Sequence, residues 1–185
     1  MTVKVIVTGA YSTGKTTLSV DLHNTLIDRG MSCRLLPDIS RSCPLPLNTE
    51  QADDTSLWLI GSQIASEIEA VAEAPDIVLC DRGIPDILAH QQDVALRRSD
   101  GSVALLRQFL DHWLSTYTLF LFSRVDEAVP IEPDGLRNTD PNYRSLLDRF
   151  AADVLKGSTN VVTLPFDPHA RLDVALQAIR RLPRP

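Results

Sequence analysis

Eight residues near the start of the chain, GAYSTGKT at 9–16, have the residue types and the spacing of a loop that binds phosphate. The pattern is G-x-x-x-x-G-K-[ST], in which Gly9 and Gly14 let the backbone turn so that successive N–H groups point inward. Lys15 supplies a positive charge for the β- and γ-phosphates of a nucleotide, and the Thr16 hydroxyl is a ligand for Mg²⁺. The motif predicts a nucleotide-phosphate site made of Gly9, Ser12, Thr13, Gly14, Lys15, Thr16 and Thr17.

The residues on both sides of this loop predict the elements that hold it. Residues 3–7 (VKVIV) are rich in β-branched side chains, which is typical of a buried strand. After the loop, Leu18, Leu22 and Leu26 repeat at helical spacing until Gly30, a residue that commonly ends helices. A strand, a glycine-rich turn and a helix in this order place the phosphates at the positive end of the helix dipole.

Strand and helix patterns alternate along the rest of the chain and predict an α/β fold. Five βα units are expected to form a doubly wound, mostly parallel five-stranded sheet that is flanked by helices. In such sheets, ligands bind at the carboxyl ends of the strands. After the first strand, the further strands are expected at CRLLPD (33–38), DIVLCDRG (76–83), YTLFLFS (117–123) and NVVTLP (160–165).

Three of the predicted helices have recognisable features. Two begin at an Asp-Pro pair, Asp140-Pro141 and Asp167-Pro168, in which the aspartate caps the helix and proline occupies its first position. A long helix is expected between the second and third strands. Its predicted apolar stripe consists of Leu57, Ile60, Ile64, Ile68 and Val71.

The length, charge and composition of the chain argue against several classes of protein. At 185 residues without internal repeats, the chain is expected to be a single domain over residues 1–185. A net charge of −6 and a pI near 5.1 argue against a nucleic-acid partner. No apolar run reaches membrane-spanning length, and the chain enters a strand without a signal-like region. Oligomeric state stays open, a homo-oligomer included.

The cysteines indicate a compartment. Cys33, Cys43 and Cys80 are odd in number and widely spaced, so they match neither a metal site nor a disulfide framework. Free thiols of this kind are typical of the reducing cytoplasm, which is the expected location.

Charged residues follow two of the predicted strands. The second strand ends at Asp38, with Arg41 three residues later, and the third ends at Asp81-Arg82. Because the first strand ends in the phosphate loop, two carboxylates and two arginines are expected to converge on the nucleotide. An aspartate in such a position can also simply cap a helix.

Four segments together resemble one family. GAYSTGKT, PDISR, DRGIPDILAH and PDGLRNTDPNYR are similar to the successive motifs of P-loop nucleoside and nucleotide kinases, and in particular to the AAA-like family that includes the ribosylnicotinamide kinase domain. The chain departs from the family pattern twice. Asp38 stands where glutamate is usual, and His90 stands where tyrosine is common.

The resemblance implies an activity, its cofactor and the residues that take part in it. A kinase of this family transfers the γ-phosphate of ATP, with GTP as the alternative donor, to a small nucleoside-like acceptor with the help of Mg²⁺. Thr16 and Asp81 are the metal-site candidates. The catalytic candidates are Lys15, Asp38, Asp81, Arg82 and Arg137, and the acceptor-binding candidates are Asp38, Arg41, Asp86 and Arg144.

The sequence also bears on other fates of the terminal phosphate. A regulatory GTPase needs N-K-x-D, and no asparagine in the chain precedes a lysine. A hydroxyl acceptor needs a carboxylate such as Asp38, whereas a monophosphate acceptor needs arginines such as Arg41 and Arg82. Both residue types are present, so a nucleoside monophosphate kinase and a non-catalytic ATP- or GTP-binding sensor remain as alternatives.

The polar segment at about 124–145 is predicted to be a lid. It is long, contains Pro and Gly, and lacks an apolar stripe before Leu146. Arg137, the last residue of D-G-L-R, is expected to enter the site only when the lid closes.

Replacing Arg137 with alanine tests this lid hypothesis. Because the contact forms chiefly in the transition state, kcat should fall by a factor on the order of 10³ while ATP affinity changes little. Steady-state kinetics and ATP titration measure the two quantities. Strongly weakened ATP binding with an unchanged kcat would instead identify Arg137 as a ground-state clamp.

Overall fold

A single parallel sheet forms the centre of the protein. The computed structural model describes residues 2–97, 106–131 and 138–182. Within these residues, the strands lie in the order β2-β3-β1-β4-β5, and every pairing between them is parallel. The predicted five-stranded sheet is therefore confirmed. The strands are β1 (Val3–Thr8), β2 (Cys33–Leu36), β3 (Ile77–Asp81), β4 (Leu119–Phe122) and β5 (Val161–Thr163).

Helices cover both faces of the sheet. On one face α1 and α6 pack against Val5 and Val7 of β1, and on the other α2 to α5 pack against Ile6 and its neighbours. This arrangement is the doubly wound architecture that the alternating pattern predicts. The helices are α1 (Lys15–Asp28), α2 (Asp53–Ala72), α3 (Ile84–Arg97), α4 (Arg107–Leu114), α5 (Pro141–Leu155) and α6 (Pro168–Arg180).

The strand register brings three strand ends to the same edge. Val7 of β1 pairs with Asp81 of β3, and Thr8 pairs with Phe122 of β4. Since β1 lies between β3 and β4, the loop that follows β1 emerges at the middle of the sheet. Side chains that follow the neighbouring strands are therefore within reach of this loop.

The predicted apolar stripe of α2 is wrong in part. Ile60 is buried, but Ile68 and Val71 are 55% and 40% exposed. The buried face of the helix instead carries several polar residues, among them Gln63 and Glu67 with exposures of 3% and 0%. Polar side chains can occupy a core face when hydrogen bonds satisfy them there.

Glu67 accepts hydrogen bonds from four side chains, three of which lie outside α2. Lys4 of β1 places its Nζ 2.8 Å from Oε2, and the Trp113 indole donates to the same oxygen at 2.9 Å. The Gln63 amide (2.9 Å) and the Tyr117 hydroxyl donate to Oε1. These bonds hold α2 in a rotation that leaves its outer apolar side chains in solvent.

Replacing Glu67 with alanine should strongly destabilise the protein, because it leaves the Lys4 ammonium buried without its carboxylate. Breaking a buried pair in this way costs about 3–5 kcal/mol of unfolding free energy. Urea denaturation measures this free energy. Glu69→Ala, on the exposed side of the same helix, is the control and should change it by less than about 0.5 kcal/mol. Equal effects of the two substitutions would contradict the proposed role of the pair.

Candidate active site

The loop between β1 and α1 has the backbone of a phosphate-binding turn. Gly9 and Gly14 have φ angles of 134° and 73°, and Ser12 also has a positive φ of 55°. A Cβ atom on residue 9 would collide with the backbone oxygen of Ser123. Glycine at this position is thus required both by its φ and by the close approach of the chain after β4.

Two side chains outside the loop hold its backbone. The Ser123 hydroxyl donates to the Thr13 carbonyl at 2.8 Å, and the Arg171 guanidinium donates to the same carbonyl. Arg171 belongs to α6 and also donates to the Pro165 carbonyl at 3.1 Å. These two hydrogen bonds fix the Thr13 carbonyl from outside the loop. Neither Ser123 nor Arg171 lies in a motif, so the sequence carries no signal for these two roles.

Lys15 is buried at the start of α1, with 4% of its surface exposed. Its ammonium donates to the Ala10 carbonyl and to the Thr13 hydroxyl, the second at 3.3 Å. Burial, and next the positive charge of Arg82, lower the pKa of Lys15 to about 7. A negatively charged ligand at this position would restore the usual preference for the charged form.

Asp86 joins the phosphate loop to the turn after β3. Its carboxylate accepts hydrogen bonds from the Thr8 hydroxyl at 2.8 Å and from the Gly9 N–H at 3.2 Å. It also accepts from the Gly83 N–H at 3.2 Å and lies 3.5 Å from an Arg82 nitrogen. Both oxygens are used within the protein, so Asp86 fixes the geometry of the site whether or not it touches an acceptor.

Asp38 and Arg82 form an ion pair at the rim of the site. Arg82 Nε lies 2.9 Å from Asp38 Oδ2, and the other oxygen of Asp38 accepts from the Ser40 N–H at 3.0 Å. Burial raises the pKa of Asp38, but Arg82 and the Ser40 hydrogen bonds outweigh it and bring the pKa below its usual value. Arg82 holds this position with a φ of 73°, an uncommon value for a residue with a side chain. The structure therefore brings Asp38, Arg82 and the phosphate loop together, as their places after the strands suggest.

Two adjoining cavities meet at this cluster. One, of about 770 Å³, follows the phosphate loop over Ser12–Thr17 and reaches Val129 and Pro130. The other, a cleft of about 810 Å³, lies between the turn after β2 and helices α2 and α3. Thr16 and Arg82 line both cavities. The cleft is also lined by Asp38, Arg41, Gln63, Asp86, Ile87 and His90.

Asp81 and Thr16 have the donor atoms that Mg²⁺ prefers, namely carboxylate and hydroxyl oxygens. Asp81 is 3% exposed, and its Oδ1 is buried with no hydrogen-bond partner in the described part of the chain. A buried carboxylate oxygen without a hydrogen-bond partner is suited to contact a cation or a water molecule bound to a cation. No cluster of three or more His, Cys, Asp or Glu side chains suited to a metal occurs in residues 2–97, 106–131 and 138–182.

The other predicted site residues lie at different distances from this centre. Arg41 is exposed and lines the cleft, and Thr17 lines the phosphate cavity. Arg144 is buried in α5, where it donates to the Val129 carbonyl at 2.9 Å, so it holds the segment after β4. Arg137 lies outside the described residues.

The predicted lid remains a prediction. Residues 124–131 follow β4, residues 132–137 lie outside the described residues, and residues 141–145 are the first turns of α5. Asp140 caps that helix by accepting from the Asn142 N–H at 2.8 Å, as its Asp-Pro pair predicts.

Comparisons with known proteins agree with this geometry. A family model described as an AAA domain matches residues 4–171. Among solved structures, deoxyadenosine kinase from M. mycoides superposes with a TM-score of 0.66 and 11% identity, over 97% of this chain and 100% of that one. Thymidylate kinase from Ehrlichia chaffeensis gives a TM-score of 0.64 and 17% identity, with 97% of each chain covered. At these identities the superpositions show a shared fold, that of P-loop kinases. No curated protein is similar enough in sequence to count as a match.

Binding of Mg-ATP should take up protons above neutral pH. The pKa of Lys15 is about 7 in the free protein, and bound phosphates should raise it, so the amine gains a proton between the two values. Affinity should therefore fall as pH rises above about 7. Calorimetry at about pH 8.5 in buffers of different ionisation enthalpy measures the uptake. Lys15→Arg, whose guanidinium stays protonated, should lose it. Equal uptake by the two proteins would refute the assignment to Lys15.

Proposed function

This chain belongs to the AAA domain family, and we propose that it is a kinase for a small nucleoside-like molecule. In this proposal the γ-phosphate of Mg-ATP is transferred to a hydroxyl group of the acceptor. GTP is the alternative donor.

One observation carries the proposal. The cavity along the phosphate loop and the cleft beside Asp38 adjoin each other, and Thr16 and Arg82 line both. A sensor needs only the first cavity. Two adjoining cavities with a cation at their boundary suit a reaction between two bound molecules, because phosphoryl transfer depends mainly on positioning and charge neutralisation.

Asp38 is the residue proposed to receive the acceptor hydroxyl. The Ser40 hydrogen bonds and the Arg82 ion pair fix its carboxylate at the wall of the cleft. Its lowered pKa keeps it ionised at neutral pH. An ionised carboxylate in a fixed position can orient a hydroxyl by accepting its hydrogen bond, and a loose phosphoryl-transfer transition state needs little more from a base.

Two cationic side chains of the protein would neutralise the charge that develops on the phosphoryl group during its transfer. Lys15 lies in the phosphate loop, and Arg82 lies between the two cavities. Arg137 is a third candidate on sequence grounds. Thr16 and Asp81 would hold Mg²⁺, which would neutralise part of the negative charge on the phosphates.

A nucleoside monophosphate kinase is the second candidate, and the position of Arg41 favours it. This exposed arginine lines the cleft and could contact an acceptor phosphate.

A cytoplasmic location stays a prediction from the sequence. No helix within the described residues is long and apolar enough to span a membrane.

Acceptor-dependent consumption of ATP tests the proposal. Purified protein with Mg-ATP is screened against nucleosides, ribosylnicotinamide among them, and against nucleoside monophosphates. A kinase should consume ATP far faster when its acceptor is present, because closing the site otherwise keeps water from the γ-phosphate. Tight ATP binding without turnover on any acceptor would support the sensor alternative.

Two substitutions accompany the screen. Lys15→Ala should abolish turnover and leave the fold intact by circular dichroism, and Asp38→Asn should lower kcat with little effect on the KM for ATP. Lys156→Ala, whose exposed ammonium pairs with Asp153 on the surface, is the control and should behave as wild type. Unchanged turnover in Lys15→Ala would contradict the proposed role of the phosphate loop.

A further inference from the structure

His90 lies on the wall of the cleft that the proposed acceptor occupies. Asp86, Ile87 and His90 are spaced three and four residues apart on α3, so all three line the cleft from one face of the helix. Leu59 and Gln63 of α2 line it in the same way. The two helices thus provide aliphatic side chains, Leu59 and Ile87, with polar groups next to them. A flat ring suits such a slot.

The tautomer of His90 is set by a chain of two hydrogen bonds. The Tyr143 hydroxyl donates to Asp93 Oδ2 at 3.3 Å and lies 3.4 Å from His90 Nδ1. A tyrosine hydroxyl has one hydrogen, which is used on the carboxylate, so its oxygen accepts from Nδ1–H. Because a neutral imidazole carries one proton, Nε2 is then left with a lone pair.

His90 remains neutral at physiological pH. Burial, and next the charge of Arg82, lower its pKa to about 4, although Asp93 and Asp38 act in the opposite direction. Among the described residues no hydrogen-bond partner reaches Nε2. His90 is partly exposed and lines the cleft.

We propose that His90 is a specificity-determining residue whose Nε2 accepts a hydrogen bond from an N–H group on the ring of the acceptor, and that Tyr143 is the positioning residue that fixes its tautomer. The inference rests on the proposed kinase function and adds the chemistry of the acceptor. A ring that lacks an N–H donor leaves Nε2 unpaired in the complex, and buried polar groups without partners weaken binding. A phosphate group has oxygen atoms that accept hydrogen bonds, so the lone pair of Nε2 does not favour its binding.

Matched pairs of nucleosides test the proposal. Adenosine and purine riboside differ only in the 6-amino group, and uridine and 3-methyluridine differ at the ring N–H. Wild type should prefer the donor-bearing member of the pair that it phosphorylates by about tenfold or more in kcat/KM. His90→Phe, which keeps a flat ring but has no acceptor atom, should lose this preference without changing the KM for Mg-ATP. His90→Gln, whose amide oxygen can replace Nε2, should retain much of it.

Nitrogen NMR of the imidazole gives a readout that does not depend on turnover. In wild type at neutral pH, the His90 signals should show a protonated Nδ1 and an unprotonated Nε2, and Tyr143→Phe should remove this preference. The signal is assigned by its loss in His90→Phe. His112→Phe, at an exposed histidine of α4, is the control and should leave the signal and the kinetics unchanged.

The two proposals fail in different ways. If wild type phosphorylates no nucleoside or nucleotide, the kinase function is wrong, and His90 is then judged by NMR titration. A shift of Nε2 with adenosine and not with purine riboside, or with uridine and not with 3-methyluridine, supports the inference. A protonated Nε2 in wild type, equal shifts within both pairs, or a His90→Phe variant that keeps the preference of wild type overturns it.

Discussion

The buried carboxylate of Asp86 joins the two halves of the candidate site. It accepts hydrogen bonds from Thr8 at the end of β1, from Gly9 in the phosphate loop and from Gly83 in the turn after β3. Burial raises its pKa, while the charges of Arg82 and Lys15 offset part of that effect. The phosphate loop and the turn that carries Arg82 are thus held by one anion. The position of Asp38 depends on it indirectly, since Asp38 is paired with Arg82.

The sheet was predictable because its order follows from local patterns. Each strand is a short apolar run in the sequence, and the two Asp-Pro pairs mark the starts of α5 and α6 as the structure has them. The ends of the strands were less predictable. CRLLPD was expected to be a strand as far as Asp38, but β2 ends at Leu36. Pro37 cannot donate a backbone hydrogen bond to the sheet, and Asp38 instead caps the 3₁₀ turn that follows.

Contacts between residues that are distant in the sequence could not be predicted. Glu67 and Lys4 are 63 positions apart, and Arg171 and Thr13 are 158 apart. Nothing near Glu67 indicates that it is buried, because its helix offers alternative apolar residues for the core. Arg171 is one arginine in a chain rich in them, and only the fold places α6 beside the phosphate loop. Periodicity identifies the faces of elements, whereas the pairing of buried charges depends on tertiary contacts.

The two sides of the site are built differently, and the difference fits their tasks. The phosphate loop is held by hydrogen bonds from regular elements, including Asp86 of α3 and Arg171 of α6. The cleft proposed to bind the acceptor is bounded by two 3₁₀ turns, Ile39–Ser42 and Asn48–Glu50, whose side chains are not fully buried. Phosphate geometry is the same for every donor nucleotide, so a rigid loop suits it. Acceptors differ in shape, and turns between β2 and α2 can change in sequence without disturbing the sheet.

The shorter side chain at position 38 has a consequence for the acceptor. Aspartate holds its carboxylate closer to the backbone than the glutamate that is usual in similar kinases. In this chain Ser40 and Arg82 fix both of its oxygens near the wall of the cleft. In the proposed reaction, the acceptor hydroxyl must therefore approach that wall more closely to reach Asp38. A compact group next to the hydroxyl permits this approach, and it also leaves the remainder of the molecule between α2 and α3, where Leu59, Ile87 and His90 line the cleft.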